Sequence, residues 1–445
     1  MITRRRLLAS SLLTIPGMAL SSEAASGFPW RNWSGHLVAN PAGRFAPGSE
    51  DELVNWLCKT SGQVRPVGAG HSFSPLVPTN GHLVITDRLS GIVSHDPDTL
   101  QAEIYAGTRL GNAGAPLWQL GQAMPNLPDI DRQTIAGALA TSTHGTGRGL
   151  KSLSGYVTGM RLVTPGGDVL DLDKNHEYLP AAAVSLGAFG FVTRARFQNR
   201  EIFNLRTRTW TEKTASILDR FDDLCDDWQH FEMMPLLHSD YSLVIAHQEA
   251  DEDPMPVEEE DDGGEFLQLI ESTPVLLRGA LINSLAGDIE PTETIQPSWQ
   301  ALTNLRFDRF NEMEYSVPVE SGPECLAEIL QLIKDNNVDV VMPLEYRIID
   351  ADDTWLSMFS GGPRVSISVH RLAHENFESL FNLVEPVFWK YEGRPHWGKV
   401  HSLGYSELRQ LYPRLDDFVE LQRELDPQGR MLNSHLRKLL RPMSS

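Results

Sequence analysis

The stretch Arg65 to Pro75, Arg-Pro-Val-Gly-Ala-Gly-His-Ser-Phe-Ser-Pro, constrains this chain more than any other. Gly68 and Gly70, with Ala69 between them, admit positive φ and close backbone approach, so successive N–H groups can converge on an anion such as a diphosphate. A dinucleotide fingerprint, Gly-x-Gly-x-x-Gly, would need a third glycine and then a helix. Phe73 stands where that glycine belongs and Pro75 where the helix would open, so a nicotinamide-type Rossmann loop is disfavoured. Two readings of the loop remain: an anion cradle bearing His71, Ser72 and Phe73, or a glycine-rich turn with an exposed imidazole.

Two later segments bear on that choice. Thr134 to Gly147, Thr-Ile-Ala-Gly-Ala-Leu-Ala-Thr-Ser-Thr-His-Gly-Thr-Gly, holds almost nothing but small and hydroxyl side chains. Backbone of that kind can approach a large planar ligand while hydroxyls donate to its oxygens, although small residues also serve tight packing of any two elements. Ser185 to Thr193, Ser-Leu-Gly-Ala-Phe-Gly-Phe-Val-Thr, places two glycines three apart before a β-rich run. Together the three resemble the flavin segments of the vanillyl-alcohol-oxidase-type superfamily, with its PCMH-type FAD-binding domain. The similarity is to the branch of aldonolactone and alditol oxidases. That resemblance implies FAD carried covalently by His71, with further contacts from Gly68, Ala69, Gly70, Ser72 and Phe73. It also implies contacts from Thr134, Gly137, Thr141, Thr143, His144, Gly145, Gly187, Gly190 and Val192.

The expected fold class is α+β: a two-domain flavoprotein with a bipartite FAD-binding domain, 30–205 closed by 405–445, and an α+β substrate cap, 206–404. In the first part a helix is expected over Glu50 to Lys59, and strands over Val64 to Val67, Leu83 to Thr86, Gly91 to His95 and Leu100 to Ala106. Thr108 is expected to cap a helix that Pro116 breaks or restarts. In the cap, Leu218, Phe221, Leu224 and Trp228 mark one helix face, and Leu326, Ile329, Leu330 and Ile333 another. Strands are expected at Tyr241 to His247, Val338 to Met342 and Val365 to His370, forming a sheet with helices on one side.

Glu345 and Arg347 lie two apart on an expected strand, hence on one face, where an exposed ion pair would be worth little. The following Asp350-Ala-Asp-Asp-Thr-Trp-Leu-Ser357 and the run Gly393-Arg-Pro-His-Trp-Gly-Lys399 resemble cap signatures of the same oxidases. The resemblance implies that Glu345 binds substrate hydroxyls, that Arg347 stabilises charge on the reduced flavin, and that Lys399 polarises the reacting alcohol. His370 is either a second substrate-facing group or a satisfied sheet histidine. Leu425 to Asn433 resembles the closing segment, with Asn433 near the cofactor.

Met1 to Ala24 combines Arg4-Arg5-Arg6, a short apolar run and small residues, which reads as an export signal too short to span a bilayer. Its paired arginines resemble a twin-arginine signal, implying a periplasmic or extracellular protein with no membrane insertion after signal removal. An ordinary secretory signal and a basic tail are the alternatives. The net charge of −21 becomes −23 without residues 1–24, which hold three Arg and one Glu. Nucleic acid and anionic lipid are therefore poor partners. Ten acids and no base lie between Glu249 and Glu265, a run expected as a solvated mobile insertion, without the spacing of a calcium loop. The three cysteines suggest neither a disulfide framework nor a cysteine zinc site, and no metal is expected.

The function implied is hydride transfer from a CH–OH group of an aldonolactone or polyol to flavin, with oxygen or another acceptor removing the electrons. A hydroxy-acid dehydrogenase would be expected to carry further basic residues. A secreted carbohydrate-binding protein without chemistry would be expected to lose a charge among Glu345, Arg347 and Lys399.

Overall fold

Ser49 starts the first helix, Glu50–Lys59, by accepting the Glu52 N–H on its hydroxyl, with acids in the first turn and Lys59 in the last. This is a computed structural model, and it describes residues 23–24, 28–255, 264–287, 289–304 and 308–442. Helix residues Leu53 and Leu57 pack with Phe45, Val64 and Val84. Strand Val64–Val67 runs parallel to His82–Ile85, which runs parallel to Gly43–Phe45, and Glu23–Ala24 pairs on the far edge. Parallel neighbours require a crossover. The glycine loop, leaving strand Val64–Val67, is part of that crossover.

A five-stranded antiparallel sheet follows, in the order Val169–Asp173, Val157–Val163, Phe191–Gln198, Gln101–Tyr105, Ile92–Asp96. Strand Phe191–Gln198 alternates buried and half-buried positions along its whole length, as expected when one sheet face meets the core. The third sheet has eight antiparallel strands. Its order is Thr292–Pro297, Asn204–Lys213, Tyr241–Ala250, His230–Pro235, Glu345–Ile349, Arg364–Leu372, Phe310–Pro318, Arg394–Pro395.

Strand Phe310–Pro318 is buried at every residue but the last, so both faces of the sheet are covered there. On one face Met313, Tyr315, Val317, Ile367 and Val369 join a core with Leu326 and Ile329 of helix Gly322–Asp335 and Val384 of helix Glu378–Lys390. The opposite face carries the polar partners in the alternation and looks onto the cavity described below. Residues after this sheet return to the first one: Arg430 donates to the carbonyls of Thr60 and Gly62, and Val64 N–H donates to Arg430 O at 2.9 Å.

Several elements differ from expectation. Arg109, not Thr108, precedes helix Leu110–Gln119, because the Thr108 hydroxyl accepts the Gly91 N–H instead. Pro116 lies inside that helix without breaking it; the carbonyl deprived of a donor belongs to exposed Asn112, three residues into the helix. The single helix face through Leu218 and Trp228 is divided between Thr214–Asp219 and Phe221–Asp227, with Arg220 in a non-helical conformation. Residues 338–342 form no strand, since the Arg278 and Arg371 guanidinium groups take the Val340 and Asp339 carbonyls that a neighbouring strand would need. The acidic run begins in strand Tyr241–Ala250 and ends in helix Gly264–Ser272, and Glu249 pairs with Arg200 at 2.6 Å. Residues 256–263 of that run and residues 1–22 of the expected export signal lie outside the described residues.

Candidate active site

The three small-residue segments and the polar face of the eight-stranded sheet enclose one cavity of about 330 Å³. From the first loop Gly68, Ala69, Gly70, His71, Ser72 and Phe73 reach its wall; from the second, Thr134, Gly137, Thr141, Thr143 and His144; from the third, Gly187, Gly190 and Val192. A Cβ on Gly68 would lie 2.1 Å from Thr134 Oγ1, so the loop packs on the second segment only as glycine. Gly70 has φ +70°, where a side chain is strained. Along the wall, Ala136, Gly137 and Ala140 offer a smooth surface beside the Thr141 and Thr143 hydroxyls. Convergent loop backbone, a flat small-residue wall and hydroxyl donors fit a group that joins a diphosphate to a planar ring system, as FAD does.

Arg65 holds these segments together. Its buried guanidinium donates to the carbonyls of Leu76 at 2.9 Å, Gly187 at 2.6 Å, Leu186 at 3.0 Å and Met431 at 2.6 Å. Burial lowers its pKa to about 9, which leaves it cationic at neutral pH.

Two residues expected at the cofactor stand elsewhere. Gly145 is not on the cavity wall; a Cβ there would lie 2.3 Å from both Asn126 Oδ1 and Leu127 O, so it serves packing of the segment. Asn433 also misses the wall. Its amide donates to the carbonyls of Pro75, Leu76 and Pro78, and its oxygen caps helix Ser434–Leu440, which makes it an anchor for the end of the first loop.

Opposite the loops, strand register assembles the charged groups. Glu312 pairs with His370, and Glu314 with Ser368, which pairs in turn with Glu345; Arg347 lies opposite both Ser366 and Glu232. Residues two apart on each strand share a face, so all of these project the same way. Lys399 reaches this grid from the loop after strand Arg394–Pro395, with Nζ on Glu312 and 3.7 Å from Glu314. Arg347 donates to Glu345 at 2.7 Å and lies 4.0 Å from Glu314. Arg347 is buried and Glu345 only partly exposed, so the full discount for exposed ion pairs does not apply.

Burial alone would raise the Glu312 pKa, but Lys399 and His370 hold it at about 2. Glu314 is likewise kept well below the usual carboxylate range against its burial, by His144, which lies 2.7 Å from its carboxylate, and by His396. Burial would lower His370, yet Glu312 and Glu345 raise it above its ordinary value. Its Nδ1 donates to Pro343 O at 3.0 Å, leaving Nε2 3.6 Å from Glu312. His370 is therefore a satisfied sheet histidine and a cavity residue at once. Arg347 Nε is buried without a partner, an unused donor on the cavity wall.

The sequence motifs also bind the two halves of the site together. Phe73 N–H donates to Gly398 O at 2.6 Å and Ser74 Oγ to Trp397 O at 2.5 Å, joining the glycine loop to the Lys399 motif. Asp352 accepts from Ser152 and Ser357, and Ser357 accepts from Ser142 of the second segment. Glu312, Glu314 and His396 are further groups at the site. For the two acids the sequence carries a signal: Glu312, Glu314 and Ser316 alternate with Met313, Tyr315 and Val317, a period-two strand with one polar face.

The cradle and the buried charged grid across one cavity define a class of protein, the FAD-dependent oxidoreductases. Residues 41–173 match the family model described as FAD binding domain, and residues 195–439 that described as D-arabinono-1,4-lactone oxidase. An L-gulono-1,4-lactone dehydrogenase of Mycobacterium tuberculosis is 34% identical over 427 residues, covering 93% of this chain and 99% of the relative. An alditol oxidase of Streptomyces sp. is 25% identical, over 92% of this chain and 98% of that protein. The chain belongs to the D-arabinono-1,4-lactone oxidase family. Its fold is shared with cholesterol oxidase from B. sterolicum, at a TM-score of 0.75 and 15% identity over 97% of this chain and 100% of that one.

Proposed function

We propose that this enzyme oxidises a CH–OH group of an aldonolactone or related polyol to the carbonyl. The observation that carries this reading is the grid of buried Glu312, Glu314, Arg347 and His370 with half-buried Glu345 and Lys399 on the wall facing the flavin segments. FAD supplies the hydride acceptor. Glu345 can accept hydrogen bonds from substrate hydroxyls while Arg347 fixes its orientation at 2.7 Å. The Lys399 ammonium, held between Glu312 and Glu314, draws electron density from a bound hydroxyl oxygen and lowers the cost of removing its proton. Glu312, Glu314, Arg347 and His370 are buried, so their charges act in a medium where each is worth more than in bulk solvent.

His71 is the proposed point of covalent attachment. Burial and the nearby Lys399, Arg109 and Arg132 cations lower its pKa to about 4, so the imidazole is neutral with a free lone pair. Trp33 stacks on it at 5.0 Å and 23°, which fixes the ring plane. After acid precipitation the wild type is expected to keep its yellow colour in the pellet, and His71→Ala to release it.

Anaerobic mixing with a panel of aldonolactones, alditols and hydroxy acids tests the function: lactones or polyols should bleach the flavin, and bleaching by hydroxy acids alone would overturn the reading. Peroxide formation in air would assign oxygen as the acceptor. The relative named a dehydrogenase favours a second reading, a separate electron carrier, in which reduced enzyme would persist in air. Export by the twin-arginine route is also proposed, from Arg4 and Arg5; the pair Arg4→Lys and Arg5→Lys should retain flavin-loaded protein in the cytoplasm.

A further inference from the structure

The cavity is not uniformly polar. Along one row of the grid the charged character ends at Glu345: Glu314, Ser368 and Glu345 continue onto strand His230–Pro235 at Met234, which pairs with Leu243 of the next strand, while Glu232 of that strand stays opposite Arg347. One row along, Glu312 and His370 are followed by Pro343 and then Leu236. Helix Gly264–Ser272 covers this end, and its Phe266 and Leu267 face the cavity. None of these apolar side chains belongs to the three flavin segments, and none is needed to hold a charged group.

The apolar end is built rather than incidental. Leu236, Phe266 and Met342 pack against a separate small core of Ile270, Ile282, Ala286 and Val341, which seats the helix on the sheet. Met234, Leu236, Leu243, Phe266, Leu267 and Met342 line the cavity together with Glu345, and Asp308 also reaches it. A ligand with hydroxyls on every carbon would strip water from its polar groups there without finding partners, which is costly. An alkyl or acyl group in the same place would be favoured by its removal from water.

We infer that the substrate is amphiphilic: a polyhydroxylated head, oxidised at the Glu345 and Lys399 end, carrying an apolar substituent that lies along Met234, Leu243 and Phe266. This rests on the reading of the charged grid as the site of CH–OH oxidation. It adds a substrate class that the charged grid alone does not specify.

The test uses the full-length holoenzyme and two substrate series, read by anaerobic flavin bleaching. The first is L-gulono-1,4-lactone with its 6-O-acyl esters from acetyl to octanoyl; the second is alkane-1,2-diols of the same chain lengths, which need no lactone ring. The apparent second-order rate constant is expected to rise roughly fourfold per methylene over the first few carbons. Phe266→Asn and Met234→Asn should flatten that rise. Because the wild-type series is decisive by itself, a variant that fails to fold does not blunt the test. Activity on the lactones with a flat or falling dependence on chain length in both series overturns the inference and leaves the lactone reading intact. A steep chain-length dependence with the diols and no reaction with any lactone overturns the lactone reading and supports the apolar wall. Inactivity of both series overturns both.

Discussion

The two walls of the cavity are made differently. On the cofactor side the ligand is met mainly by backbone and small side chains: Gly68, Gly70, Gly137 and Gly187 face the cavity, and Arg65 fixes the loops from behind through four carbonyls. On the substrate side the wall is charged side chains of an antiparallel sheet, held by ion partners: Arg347 on Glu345 within the sheet, Lys399 of a loop on Glu312, and His144 of the facing segment on Glu314. A cofactor that stays bound is served by shape and close approach. A reaction that develops charge is served by groups whose positions are fixed beforehand. Substitutions on the first wall should therefore cost cofactor, and substitutions on the second should cost rate.

The largest effect should come from the second wall. Lys399→Met should retain FAD and slow anaerobic bleaching by about 10²- to 10³-fold, roughly 3 to 4 kcal/mol in barrier, and Arg347→Met should act in the same direction. Flavin loss from either variant, measured by absorbance of the purified protein, would collapse the distinction between the walls. On the first wall, Gly68→Val must displace Thr134 Oγ1 from 2.1 Å. It should lower flavin occupancy and cost about 1–3 kcal/mol of stability, with any molecules that keep flavin bleaching at close to the wild-type rate.

A smaller effect separates the charges within the grid by pH. Glu312 has its folded pKa depressed to about 2 from an ordinary 4.5, so the stability it contributes is complete above about 4.5 and lost as pH falls toward 2. His370 has its folded pKa raised above 6.5, so its contribution is complete below 6.5 and lost as pH rises through the raised value. Melting curves across pH should show a flattened acid limb in Glu312→Gln and a flattened neutral-to-alkaline limb in His370→Gln. Identical pH profiles for wild type and both variants would remove these residues from the ionised grid. The smallest effect is expected from Asn433→Ala, which loses a helix cap and the amide bonds to the first loop. It should lower stability by about 1–2 kcal/mol, with the bleaching rate of bound flavin unchanged.

The same contrast explains what could be read from sequence. Cofactor segments are local: glycines, alanines and hydroxyls at short spacing disclose Thr134 to His144 before any fold is known. Gly145 and Asn433 stand off the cavity wall, because part of each motif packs the segment that lines it. The charged grid is non-local. Glu312, His370 and Glu345 come from three strands and meet through register, and Lys399 reaches them from a loop. Glu345, Arg347 and Lys399 were legible through short motifs, whereas Glu312 and Glu314 needed the strand Phe310–Pro318 to be recognised by its alternation. Residues 338–342 show the reverse case, an apolar run that reads as a strand but gives its carbonyls to Arg278 and Arg371.

The most direct test is a single-turnover experiment on the wild-type holoenzyme without oxygen. A lactone substrate is supplied with hydrogen or deuterium at the carbon that bears the oxidised hydroxyl, and the flavin absorbance is followed in time. Bleaching is expected in one phase that deuterium slows, because breakage of that C–H bond delivers the hydride. A flavin that stays oxidised with every lactone and polyol, while bleaching readily with dithionite, would contradict it.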